Sequence, residues 1–169
     1  MRFKIYIAIV FICVWFVHAC KVSYTLSGAS IPEQANTVAV DFFENNAPLA
    51  NPNFQRIITE GIREKFIRQT RLKMVNENAD LTFSGIVNRY NIEPLAIGAN
   101  EVAAKTRLTI GIEVSYVNRF NEEENFIQNF SRFADFDASQ VLSTVEDALM
   151  EEISEQLVQD VFNRAFLNW

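Results

Sequence analysis

The chain has 169 residues, with 15 Lys and Arg against 21 Asp and Glu, a net charge of −6 and a single histidine. This acidic balance argues against nucleic acid as a partner, because phosphate binding is dominated by Lys and Arg. Cys13 and Cys20 are its two cysteines.

The first element is an export signal. Arg2 and Lys4 give a positive start, Ile5 to Val17 is an almost unbroken apolar run, and Ala19-Cys20 ends it. The run is shorter than the about 20 residues that span a bilayer. A charged start, a short apolar core and a small residue before the cut form a secretory signal peptide. Val17-His18-Ala19-Cys20 has the form of a bacterial lipobox, with His18 an unusual occupant. Residues 1–19 are therefore expected to be removed, and Cys20 to be lipidated as the first mature residue. The plainer alternative is an ordinary signal peptide that ends beside a cysteine. Stable anchoring takes more than one acyl chain, each buried CH2 contributing about 0.8 kcal/mol. A lipoprotein-type cysteine with several chains meets that condition, so the chain is expected to be tethered to a membrane rather than to span it.

Cleavage there leaves 150 residues, 13 basic and 21 acidic side chains and a net charge of −8. His18 and Cys13 leave with the signal, so no histidine and no free thiol remain. Ser-His-Asp and Cys-His nucleophilic sites, His-based zinc sites and Cys clusters are thereby excluded. No GxGxxG or Walker-type phosphate loop occurs. The expectation is a non-catalytic protein with no cofactor and no metal.

Residues 20–36 are small and polar, with Gly28 and Pro32 as breakers, and read as a tether. A single domain is expected over residues 37–169. Thr37 to Phe43 predicts a strand. A loop with two prolines follows, and Asn51 and Pro52 predict a helix start as N-cap and first helical residue. From Pro52 to Gln69, Phe54, Ile57, Ile58, Ile62 and Phe66 share one helical face. Gly61, in its middle, suggests a close approach to a sheet.

Leu81 to Ile92 predicts a strand, with a bulge suggested at Gly85. Thr106 to Tyr116 alternates between apolar Leu108, Ile110, Ile112 and Val114 and polar Arg107, Thr109, Glu113 and Ser115. One face buried and one wet is the pattern of an antiparallel sheet. Asn121 to Asn125 is an acidic hairpin loop, and Phe126 to Phe136 the return strand. From about residue 139 to 166, Leu142, Val145, Leu149, Ile153, Leu157 and Val161 form the apolar stripe of a long helix. Asp137 or Ser139 is the expected cap. The order β-α-β-β-β-α predicts an α+β, two-layer sandwich, with two helices on one face of a four-stranded, mainly antiparallel sheet.

Glu146-Asp147 and Glu151-Glu152 fall on the outer face of the last helix, where carboxylates are ordinarily just solvated. Glu122 to Glu124 lack the spacing of a calcium loop. The scarce basic residues are more informative. Arg89, Lys105, Arg107 and Arg119 lie on or beside the strands, and those on the wet face are candidates to meet the phosphates of an anionic glycolipid, since Arg matches phosphate geometry. The loop Glu93 to Glu101, with Leu95 and Ile97, either touches a partner or folds back on the sheet.

The segments "YTLSGASIP", "AVDFFENNAPLANP", "FIRQTRLKMV", "VAAKTRLTIGIEV", "FSRFADFDASQ" and "FNRAFLNW" occur in this order, and over Lys21 to Trp169 the chain resembles the LptE lipopolysaccharide-assembly lipoprotein family in its Bacteroidetes-type branch. The resemblance implies a two-layer α/β sandwich. It also implies an outer-membrane lipoprotein that plugs and stabilises the LptD β-barrel and assists lipopolysaccharide insertion. Family members are held to bind lipopolysaccharide through basic residues, whereas Arg89, Lys105, Arg107 and Arg119 are candidates on physical grounds alone. "CKVSY" lacks an acidic run after the cysteine, which favours a periplasm-facing position. The other reading is a free periplasmic module that carries a lipid or small amphiphile.

Overall fold

The computed structural model describes residues 31–95 and 104–167. The elements are β1 (Thr37–Val40), β2 (Glu44–Asn45), α1 (Asn53–Gln69), β3 (Lys73–Met74), β4 (Leu81–Pro94), β5 (Lys105–Asn118), a 3-10 turn (Glu122–Glu124), β6 (Phe126–Asp137) and α2 (Leu142–Phe166). The α+β class agrees with the sequence. The sheet has six strands rather than four, because the two-residue strands β2 and β3 join it.

Strand order is β3-β1-β4-β5-β6, with β2 pairing on β4 beyond the end of β1. The long strands β4, β5 and β6 form an antiparallel meander, while β1 lies parallel to both β3 and β4. Parallel neighbours need a crossover, and α1 supplies the one from β1 to β3. In β4 the register slips between Val87 and Arg89, which puts the bulge at Asn88 and not at Gly85. Gly85 has a different reason. A Cβ there would stand 2.4 Å from Phe43 Cε1 and 2.7 Å from the Glu113 carbonyl oxygen, so the buried Phe43 ring takes the space of its side chain.

Both helices cover one face of the sheet and pack on each other. Gly61 serves that helix pair, not the sheet: its Cβ would meet Val158 Cγ2 at 3.0 Å and Ser154 Oγ at 3.4 Å, both on α2. The N-cap of α1 falls on Pro52, one residue later than expected, while Asn51 Oδ1 still accepts from the Asn53 N–H at 3.0 Å in the turn that leads in. The second cap differs too. Asp137 Oδ1 accepts from both the N–H and the hydroxyl of Ser139, closing a turn of its own, and α2 begins only after Val141.

The core joins Leu81, Phe83 and Val87 of β4 and Leu108, Ile110, Ile112, Val114 and Tyr116 of β5 to the inner stripes of the helices. Phe66 of α1 and Phe166 of α2 meet over Phe83 and Tyr116, with ring centroids 4.6 to 6.4 Å apart. At these separations tilted and edge-on pairs add to the burial term. The helix α2, 25 residues long, runs about 37 Å. No described helix is long and apolar enough to cross a membrane.

Candidate functional site

The face of β4, β5 and β6 turned away from the helices is the candidate site. Strand alternation decides what it shows. On β5 the outward set is Lys105, Arg107, Thr109, Gly111, Glu113, Ser115 and Val117, opposite in phase to the core residues Leu108 to Tyr116. On β6, Phe130, Ala134 and Phe136 point inward, while Ile127 and Phe133 point outward with 72% and 48% of their surface exposed. Val117, at 43%, adds to Ile127 at the hairpin end. The face is thus polar and rich in hydroxyls, with a few apolar side chains standing above it.

Register fixes the charges on it. Arg107 is opposite Asp135, and its guanidinium binds that carboxylate through both Nε (2.7 Å) and Nη2 (2.9 Å). The same guanidinium lies 3.5 Å from the centroid of the Phe133 ring. The hydrogen bond from Arg107 holds the Asp135 carboxyl below its ordinary range, despite some opposing desolvation. Lys105 is exposed and opposite Asp137, and Glu93 is opposite Arg107 on the other side. At the bulge, Asn88 Nδ2 donates to Asn129 Oδ1 across the sheet. This passes over Gly111, where a Cβ would meet Arg89 Cβ and Asn88 Oδ1, each at 3.0 Å.

The structure therefore places Lys105 and Arg107 at one end of the open face and Arg89 near its middle, and leaves Arg119 apart. Arg89 faces Gly111, four residues along β5 from Arg107, or about 13 Å. Arg119 follows the far end of β5, roughly 40 Å from Arg107 along the strand, where its N–H donates to the Asp80 carbonyl oxygen. Phe133 and Asp135, which hold Arg107, were not singled out by the sequence. Their signal was the parity of "FIQNFSRFADF", which separates Ile127 and Phe133 from Phe126, Phe130 and Phe136.

Other basic residues serve structural ends. Arg63 reaches the Val40 carbonyl, Arg68 pairs with Glu64, and Arg132 binds Asp160 of α2 through two nitrogens. Glu146 accepts from the Tyr90 hydroxyl at 2.5 Å, and burial raises that hydroxyl's pKa. Glu124 accepts from Asn118 and Asn121 at the hairpin tip. The groove between the helices, about 730 Å³, is open and lined by charged groups such as Glu64, Lys65, Arg68 and Glu155. Among the described residues no His, Cys, Asp and Glu cluster could hold a metal ion. Cys20 and Ile97 lie outside the described residues.

The family model described as "LptE: Lipopolysaccharide-assembly" matches residues 35–165. No curated protein matches the chain. Among solved structures, rare lipoprotein B from Shewanella oneidensis is similar at 15% identity and TM-score 0.50, over 76% of this chain and 92% of that one. The hypothetical protein CT253 from Chlamydia trachomatis is similar at 10% identity and TM-score 0.50, over 79% and 99%. Protein XCC0632 from Xanthomonas campestris is similar at 10% identity and TM-score 0.51, over 85% and 89%. At such identities these likenesses speak to the fold, which they share. The family match spans β1 to nearly the end of α2, and the chain belongs to the LptE lipopolysaccharide-assembly family.

Proposed function

We propose that this chain is a non-catalytic outer-membrane lipoprotein, anchored through an acylated Cys20 on the periplasmic side, that plugs and stabilises an LptD-type β-barrel and assists lipopolysaccharide transport. Family membership implies a lipopolysaccharide-assembly lipoprotein of the cell envelope. The observation that supports the barrel as partner is the uncovered sheet face, polar with a few protruding apolar side chains. Lumen walls of large barrels are polar, so such a face suits a wall of that kind better than lipid. A free carrier would instead need a closed apolar cavity, whereas the groove between the helices is open and charged.

Within this reading, Lys105 and Arg107 at one end of the open face and Arg89 near its middle meet lipopolysaccharide phosphates, and Arg119 stands outside that stretch. Asp135 competes for Arg107, which keeps any such contact weak.

The test is a mild-detergent pull-down from native outer membranes with a C-terminal tag, followed by mass spectrometry. An LptD-type barrel recovered in roughly equal amount is the expected result. A domain recovered alone, or with lipid and no barrel, would replace this reading with that of a periplasmic carrier. Protection of the chain from external protease on intact cells is the expected result for the periplasm-facing position.

A further inference from the structure

The stretch just before β1 is held from two sides by side chains far away in sequence. From one side, Arg71, in the turn after α1, donates from Nη1 to the Ala35 carbonyl (2.8 Å) and from Nη2 to the carbonyls of Pro32 (2.9 Å) and Glu33 (3.2 Å). From the other, Asp80, just before β4, accepts at Oδ2 from the Asn36 N–H (2.9 Å), the Thr37 N–H (3.0 Å) and the Thr37 hydroxyl (2.9 Å). Its own N–H lies 2.9 Å from Thr37 Oγ1. Between the two, Ala35 is fully buried and the Asn36 carbonyl accepts from Lys73 N–H.

Six residues with no helix or strand of their own thus use a guanidinium fork and a carboxylate, both charge-assisted and geometrically specific. A stretch that merely led into β1 would need neither. β1 itself is enclosed between β3 and β4 in parallel register.

We infer that Arg71 and Asp80 form a latch that holds residues 32–37 on the domain, and so limits how far the domain can stand from its anchor. The anchor part of this inference rests on lipidation at Cys20. Eleven residues lead from Cys20 to Ile31, a covalent reach of at most about 40 Å. Opening the latch adds the six residues 31–36, or roughly 20 Å more. Tension applied along the tether meets the latch before it reaches β1.

The test is hydrogen exchange of the mature chain in detergent, read at the Asn36 and Thr37 amides and, as a reference, at Leu108 to Val114 in β5. In the native chain the two amides exchange at least about 100-fold more slowly than in a free peptide. Arg71→Ala and Asp80→Ala each speed them about tenfold or more while the β5 amides stay as they were. Arg71→Lys, which keeps the charge and loses the fork, gives a smaller acceleration. Native amides at the free-peptide rate, variants without effect, or equal acceleration throughout the sheet would overturn the latch. The mass of the N-terminal peptide, read on the same sample, separates the two parts: an unacylated Cys20 overturns the anchor and the reach it implies, whatever the exchange rates.

Discussion

The Phe43 ring occupies the space that a side chain at Gly85 would need, 2.4 Å from where a Cβ would sit, with the Glu113 carbonyl oxygen on its other side at 2.7 Å. Phe43 is fully buried, and its N–H is bound by the Thr59 hydroxyl of α1 at 3.1 Å. The Phe43 backbone is therefore tied to α1, and its buried ring has little free space to move into. Gly85→Ala is expected to destabilise the domain by about 2 kcal/mol, in the range of core overpacking. Urea unfolding monitored by circular dichroism checks this, and an unchanged midpoint would mean that the ring yields.

Gly61 is the point where α1 and α2 come close, with Val158 and Ser154 against it. Gly61→Leu is expected to push the helices apart at a cost of about 2–3 kcal/mol. Gly61→Ala is the informative companion. Its gain in helix propensity is about 1 kcal/mol, set against a contact at 3.0 Å with one movable methyl, so its midpoint should stay within about 1 kcal/mol of the native value. Thermal melts of both variants would show whether the contact or the propensity decides.

Arg107 is held by Asp135 and stacked on Phe133, both on the open face. Exposed ion pairs contribute about 0.2–1 kcal/mol, so Arg107→Ala should change stability by no more than about 1 kcal/mol. Binding is the sharper readout. Asp135→Asn frees the guanidinium and should strengthen binding of lipopolysaccharide to the purified chain. Combined replacement of Arg89, Lys105 and Arg107 by Ala should weaken it, and Arg119→Ala should leave it unchanged. Equal losses at Arg119 and at these three would disprove the grouping.

Acid should destabilise the fold. The Asp80 carboxyl is held below its ordinary range, chiefly by the Asn36 backbone N–H and then by the Thr37 hydroxyl; Asp135 is held down chiefly by Arg107, and Asp137 chiefly by the Ser139 hydroxyl. Each folded-state pKa lies below its unfolded value of 3.8. The unfolded chain therefore binds protons first as pH falls, and the stabilisation present above that value is lost through and below it. Denaturant midpoints should hold steady from pH 7 to about 5 and fall toward pH 3, less steeply in Asp80→Asn. A flat profile would rule this out.

Much of this was legible in the sequence, and the rest was hidden for particular reasons. β5 declared itself because Leu108 to Tyr116 alternate without a break, and α1 because Phe54, Ile58, Ile62 and Phe66 recur at helical spacing. The strands β2 and β3 have two residues each, too few for any period, and only their parallel pairing to β4 and β1 makes them strands. The bulge at Asn88 carries no glycine to mark it, whereas Gly85 drew the eye for a reason of packing. Asp137 looked like a cap and is one, but of a turn that ends before α2 begins. At the site, the outward placement of Arg107 could be read from alternation. Its pairing with Asp135 needed the β5–β6 register, and the separation of Arg119 from the rest needed the length of β5.

The parallel placement of β1 also has a consequence for the order in which the chain can fold. A chain is made N-terminus first, yet Val38 pairs with Leu81, and β1 cannot close on β4 until more than forty later residues exist. The strands β4, β5 and β6, by contrast, are neighbours in the sheet and consecutive long strands in the sequence. Contacts distant in sequence form late because the loop they close must be ordered first. The apolar residues Val38, Ala39 and Val40 therefore stay without their sheet partners until β4 has been made.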